Sequence, residues 1–414
     1  MMQLTDDDRR ILDGEQGEVK RKALELLLTL ARIYDADSLV PIDSAHINGA
    51  SIVAVGETGV GFVEDMASDG ATIVVPATTN PKSLPFTDKD VGLDAAQAAA
   101  QGRLSQALGR MGAQVCSSCT PYLVGNTPGR GRSVAWAESS AIVYANSVLG
   151  ARTNREGGPT AIASAIVGKT LRTGYHLDEN RAGTLLVHVR QPMSGTTAYG
   201  TLGYFVGGIV KDGVPVFEGL PASVTMDELK MLSAALATAG SVAMFHVIGV
   251  TPEAATRELA FRGRKPTGAI EYGPLEEAAT VAALTRSGSD KTEWVTLGCP
   301  HFSLTEFAHA AALLAGRKVH GDVMLWINSS TGVVRQAAKL GYTKVVEDAG
   351  AEIVCETCPV HIAGRVYARR QNITSLTTNS AKMAHYAFGQ LGLYPRYGTI
   401  EECIRAAIAG RWNA

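Results

Sequence analysis

The sequence predicts an α/β protein in which parallel sheets are flanked by helices and a ligand site opens at the carboxyl ends of strands. Two observations lead there. Apolar, β-branched runs of strand length alternate with helical patterns along most of the 414 residues, the order that builds parallel sheets covered by helices. In addition, Cys119, Cys299 and Cys358 each lie just past a run of strand type and close before a proline. Three like side chains thus occupy like places outside strand ends, where such sheets bind ligands.

Taken in order, residues 16–34 have the spacing of an amphipathic helix. Residues 51–55 and 72–75 are β-branched runs that predict strands, with a helix near 63–67 between them. A helix is expected over 95–111, a short strand over 113–116, a helix over 135–148 and a polar loop over 152–159. Residues 184–189, with Leu185, Leu186 and Val187, predict a buried strand, followed by glycine-rich apolar sequence to residue 210. A helix over 226–239 and a strand over 242–247 come next. The last third is the most regular, with strands at 294–297, 323–327 and 352–355 alternating with helices near 304–314 and 333–340. Crossovers near 180 and 286–291 divide the chain into three α/β lobes, 1–180, 181–290 and 291–414.

Composition narrows the function classes. Apolar residues make up 46% and charged residues 19%, too apolar for a disordered chain. A net charge of −2 leaves no basic footprint for nucleic acid or an anionic membrane. No apolar run approaches the ~18–20 residues of a membrane span, and the acidic start at Asp6, Asp7 and Asp8 is unlike a signal peptide. The expectation is a cytoplasmic protein with no membrane or nucleic-acid partner.

The six cysteines form no disulfide framework in a chain of this length. The pairs Cys116/Cys119 and Cys355/Cys358 stand too far apart in the chain for a zinc ribbon, whose pairs are ~15–20 residues apart. Taking one cysteine from each pair, with Cys299, gives three thiols able to converge beyond strand ends. Three thiolates suit a soft metal or an iron–sulfur cluster with one open coordination place, which makes a Lewis acid. The alternative is that they are small buried hydrophobes. Cys116, Cys355 and Cys403 are read as packing residues.

Polar groups cluster at comparable places. Ser44 and His46 precede an apolar run, and Thr79 and Asn80 follow one. Glu138 lies near a helix start, and Asn154 and Arg155 sit in the 152–159 loop, where a guanidinium suits a carboxylate. Ser330, and Asn379, Ser380 and Lys382, lie at helix starts, with plain capping as the competing role.

These motifs resemble a known family. Cys119-Thr-Pro-Tyr122, Trp136-Ala-Glu138-Ser-Ser140, the run from Ala145 to Gly158, Gly298-Cys299-Pro300-His301, Glu356-Thr-Cys358-Pro359 and Thr378-Asn-Ser-Ala-Lys382 are similar to those of aconitase X proteins, as is Ser44-Ala-His46. The resemblance runs from about residue 3 to the C-terminus. It implies an aconitase-like, multi-lobed fold and an iron–sulfur cluster, 2Fe-2S or 4Fe-4S, held by Cys119, Cys299 and Cys358. It also implies a small swivel-domain subunit as partner, which carries the catalytic base, a serine. The pocket for a small carboxylate substrate would be shaped by Ser44, His46, Thr79, Asn80, Glu138, Asn154, Arg155, Ser330, Asn379, Ser380 and Lys382.

Two activities are known in the family, dehydration of cis-3-hydroxy-L-proline to a pyrroline-2-carboxylate and dehydration of mevalonate 5-phosphate. The expectation here is the first, with the second as the alternative. A third reading, from another class, is a non-enzymatic iron-responsive or RNA-binding aconitase relative, against which the net charge of −2 counts.

Overall fold

The computed structural model describes residues 2–83, 93–362 and 364–412. Three parallel sheets organise the chain. The first has the order Ala77–Thr79, Ala45–Ile47, Ala135–Trp136; the second His246–Val247, Pro215–Glu218, Leu185–Val189, Gly268–Tyr272; the third Glu352–Cys355, Met324–Ser329, Trp294–Leu297, Ser375–Thr378, Tyr394–Tyr397. A small antiparallel pair, Leu39–Pro41 with Lys169–Leu171, braces the first.

Each sheet has its own apolar core. Helices Glu18–Ile33, Ala95–Arg110 and Gly158–Val167 bury Leu24, Leu27, Leu104 and Ile166 around the first. Helices Thr196–Val210 and Met226–Ala239 pack Leu202, Val206, Leu232 and Leu236 with the middle sheet's Val187 and Phe217. Around the third sheet, Phe307, Leu314, Val346 and Ile404 surround Val295, Leu325 and Ile327. On its other side Trp294, Trp326 and Tyr367 form an edge-packed aromatic group.

The strands at Trp294–Leu297 and Glu352–Cys355 and the helices Leu304–Leu314 and Met226–Ala239 fall where the pattern predicts them. The first sheet differs. The run at 51–55 opens helix Ile52–Ser68 as a turn that a kink at Gly56 sets off from the rest, with Ile52 buried and Val53 exposed. The run at 72–75 bonds instead to the carbonyls of Met111 and Ala165 at the ends of two helices, and the strand lies just beyond it at Ala77–Thr79. Residues 113–116 contribute one isolated bridge, Gln114 with Thr78. The expected 135–148 helix is interrupted: Ala135–Trp136 joins the sheet, helix Ser139–Tyr144 follows, and a π-type turn Ala145–Leu149 ends it. Within 242–247 only His246–Val247 is strand.

Two consequences position the site. The carboxyl ends of the first and third sheets meet, and polar contacts join them. Lys82 pairs with Glu356 at 3.1 Å and Lys382 with Glu138 at 2.7 Å. The middle helices press closely together elsewhere: a Cβ on Gly203 would stand 2.7 Å from the Leu232 carbonyl oxygen.

Candidate active site

Glu138 follows the strand Ala135–Trp136, and Lys382 lies in the first turn of helix Ala381–Tyr386 after the strand Ser375–Thr378. Their side chains are 8% and 15% exposed and meet at 2.7 Å. The Ser140 hydroxyl donates to Glu138 at 2.9 Å, and the Asn80 amide donates to it at 3.0 Å and to Asn48 at 3.1 Å. Burial works against charge on Glu138, yet the Lys382 ammonium holds its carboxyl down at about 2. Burial likewise opposes the Lys382 charge, and Glu138 raises that pKa above the ordinary lysine range. The pair is therefore ionised.

His46 lies in the central strand of the first sheet, fully buried, with Nδ1 2.8 Å from the Thr78 hydroxyl. Burial pushes it down to about 4, so it is neutral. Its Nε2 faces the Asn80 side chain, and the Asn379 Oδ1 is buried without a hydrogen bond in the protein. Buried polar atoms are nearly always paired, so the Asn379 acceptor, just past the strand Ser375–Thr378, is open to a donor from another molecule.

The cysteines border this group. Cys299 is buried, and Cys119 and Cys358 are partly exposed. Cys119 and Cys299 interact electrostatically with each other and with Glu138 and Lys382. Cys358 does so with Cys299 and Lys382. Burial, reinforced by Glu138, raises the Cys119 thiol far above its usual range, and burial lifts Cys358 to about 12. Such thiols stay protonated until a cation arrives, and metal binding releases their protons.

Among the described residues no three His, Cys, Asp or Glu side chains are grouped to hold a single metal ion. The three thiols come from three separate loops, and thiolates are the donors an iron–sulfur cluster takes.

Other expected site residues have local partners. The Thr79 hydroxyl accepts from the Ser117 N–H at 3.2 Å and so shapes the loop that presents Cys119. The Ser44 hydroxyl accepts from the Trp136 indole at 3.2 Å. Ser330 and Ser380 cap helices Thr331–Lys339 and Ala381–Tyr386, and Ser380 also faces Cys299. Asn154 is turned away: its amide is taken by the Thr173 carbonyl at 3.0 Å and the Tyr175 N–H at 2.8 Å. Arg155, next to it, is exposed.

Sequence reasoning passed over Asn48, Ser140, His301 and His361 as site residues. His361 interacts electrostatically with Glu138 and Lys382. The signal for His301 was its place two residues past Cys299. A cleft of about 1390 Å³ opens elsewhere, lined by Asp227, Glu228, Glu277, Glu401 and Glu402, and touches none of the three cysteines.

Known proteins share this architecture. Family models for the aconitase X first, second and third domains match residues 1–179, 183–280 and 292–409. The phosphomevalonate dehydratase large subunit of Methanocaldococcus jannaschii is 39% identical over 415 residues, covering 98% of this chain and 100% of that one. The protein of that name from Methanothermobacter thermautotrophicus is 41% identical, covering 96% and 97%. The cis-3-hydroxy-L-proline dehydratase of Pseudomonas aeruginosa is 38% identical over 98% of this chain but only 70% of its own length. The crystal structure of holo-form aconitase X from Thermococcus kodakaraensis superposes with a TM-score of 0.87 at 36% identity, over 98% of this chain and 100% of that one. With matched domains along nearly its whole length, the chain belongs to the aconitase X family.

Proposed function

We propose that this enzyme, a dehydratase by its family, is the large subunit of a hydro-lyase that converts cis-3-hydroxy-L-proline to a pyrroline-2-carboxylate. The observation that carries the substrate is the buried acceptor Asn379 Oδ1, left without a hydrogen bond three residues before Lys382. A free acceptor suits the ring ammonium of an amino acid. The second reading, mevalonate 5-phosphate, is favoured by the names of the relatives matched over their full length.

Cys119, Cys299 and Cys358 would hold an iron–sulfur cluster, of the 2Fe-2S or 4Fe-4S kind. When bound, the cluster supplies a Lewis acid that assists departure of the substrate hydroxyl as water. The chain's own residues bind and orient. Lys382, fixed by Glu138 and Ser140, offers an ammonium donor in a closed polar site, where such a donor is stronger than in water. Arg155 would reach for the substrate carboxylate from the surface. The base would be a serine of a small swivel-domain subunit. Relatives named large subunits imply a small one, and the rest of the longer Pseudomonas relative lies outside the match.

The three-lobe division 1–180, 181–290 and 291–414 would let that subunit close over the site. Six free thiols suit the reducing cytoplasm, and no helix among the described residues is long and apolar enough to cross a membrane. The test is turnover of both compounds by the anaerobically reconstituted subunit pair. Dehydration of mevalonate 5-phosphate alone would replace the first reading by the second.

A further inference from the structure

His301 is fully buried and touches the loops of all three cysteines. It lies two residues after Cys299. Its backbone N–H donates to the Cys119 Sγ at 3.3 Å, and its Nδ1 is 3.4 Å from the Ser118 hydroxyl. Its Nε2 is 2.9 Å from the carbonyl oxygen of Thr357, the residue before Cys358. A carbonyl can only accept, so the ring proton sits on Nε2 and Nδ1 accepts from Ser118. The same Ser118 oxygen accepts from the Thr120 N–H at 3.2 Å, which closes the Cys119 loop on itself.

The carbonyl of His301 is held in turn from the middle of the chain. Lys230, 1% exposed on helix Met226–Ala239, donates to it at 3.2 Å. Lys230 is itself fixed by ion pairs with Glu306 and with Asp227, the latter at 3.2 Å. Ser303 completes the frame, its hydroxyl donating to Asp227 at 2.7 Å and its N–H to Glu306 at 2.8 Å.

We propose that His301 is the positioning residue of the three-thiol site, its imidazole bridging the Cys119 and Cys358 loops while Lys230 anchors its backbone to the middle sheet's helix. This rests on the reading of the three cysteines as cluster ligands. The ring touches no substrate; it sets the spacing between thiols that arrive from three separate loops. Partners outside the ligand shell commonly change metal affinity ten- to a hundredfold.

The experiment compares the wild-type chain, its His301→Ala and His301→Gln variants, and, as a remote control, Phe261→Ala in the separate small core of Leu186, Val216 and Phe261. Each is reconstituted anaerobically with ferrous iron and sulfide. The readouts are the visible spectrum, the rate of iron release to bathophenanthroline disulfonate, and the melting temperature of the apoprotein. His301→Ala should release iron at least tenfold faster, with an altered spectrum. Glutamine keeps an N–H donor near the Thr357 carbonyl, so His301→Gln should recover most of the retention.

Wild-type release from His301→Ala would overturn the proposal. So would equally fast release from Phe261→Ala at a matched loss of melting temperature, since the effect would then be general softening. If His301→Ala does not fold, the glutamine variant decides through a His301→Asn companion. Asparagine is too short to reach Thr357, so it should release iron faster than glutamine, and equal rates would sink the idea. A wild-type chain that takes up no iron would instead remove the cluster reading on which the proposal rests.

Discussion

Replacing Lys382 by methionine isolates the electrostatics of the site. The substitution keeps the length and apolar stem of the side chain but leaves the Glu138 carboxylate buried without a cation. Its remaining partners, Asn80 at 3.0 Å and Ser140 at 2.9 Å, are neutral. Removing one member of a buried pair costs about 3–5 kcal/mol. The two surviving hydrogen bonds place the expected loss at the low end, ~3 kcal/mol. The depression of the Glu138 carboxyl from 4.5 to about 2 corresponds to a similar ~3 kcal/mol.

The sign with pH follows. Glu138 is held below its ordinary value in the folded chain, so its stabilisation is complete above about pH 4.5 and is lost as pH falls toward 2. In Lys382→Met, burial lifts the carboxyl instead, and the deficit measured at pH 7 should shrink by pH 5. Urea unfolding at both pH values, with the Lys382→Met/Glu138→Gln double variant, reads this directly. The double variant should recover much of the loss, because no buried charge remains. A single variant within ~0.5 kcal/mol of wild type at pH 7, where surface substitutions normally fall, would refute the reasoning. So would a double variant no more stable than the single.

Serine at Cys119, Cys299 or Cys358 should abolish iron uptake and turnover one site at a time, while Cys116→Ser retains both; iron analysis of the purified chains checks this. Arg155→Lys should lower kcat/KM by about 100-fold with an unchanged melting temperature if the guanidinium fork grips a carboxylate, and unaltered kinetics would remove Arg155 from the site. Gly203→Ala places a methyl 2.7 Å from the Leu232 carbonyl oxygen and 2.9 Å from the Ala235 Cβ, so it should cost about 1–3 kcal/mol through forced separation of two helices, read by thermal unfolding.

The third sheet was legible where its strands are buried on both faces, as at Trp294–Leu297 and Met324–Ser329, whereas Ser375–Thr378 and Tyr394–Tyr397 were not read as strands. Trp294–Leu297 and Glu352–Cys355 read as short apolar blocks between helices. The first sheet's strands are three residues or fewer and polar where they matter, with His46, Thr78 and Thr79 inside them. The β-branched run at 52–55 outweighs them by pattern yet folds as helix.

Site residues were readable where strand ends and odd polar clusters coincide, as at Asn80, Glu138, Asn379 and Lys382. Asn154 satisfied the same rule, but its amide is occupied by backbone at 173–175. His301 was missed because its role depends on partners remote in sequence, Ser118, Thr357 and Lys230, which no local window contains.

The meeting of the first and third sheets also has a meaning in time. Cys119 finds the His301 N–H 182 residues later in the chain, and Glu138 finds Lys382 244 residues later. At ~5–20 residues per second of synthesis, the Cys119 thiol emerges about 9–36 s before its His301 partner exists. During that interval the first sheet's core can already close, since its helices and strands come from the first 171 residues of the chain. Its thiols meanwhile lack the later-made segments that bury them. Assembly of the site is thus the last act of folding, and the proposed iron–sulfur cluster can be installed only after the late sheet docks. Stress that slows docking should accumulate folded, iron-free chains with oxidised Cys116 and Cys119 before it produces any unfolded ones.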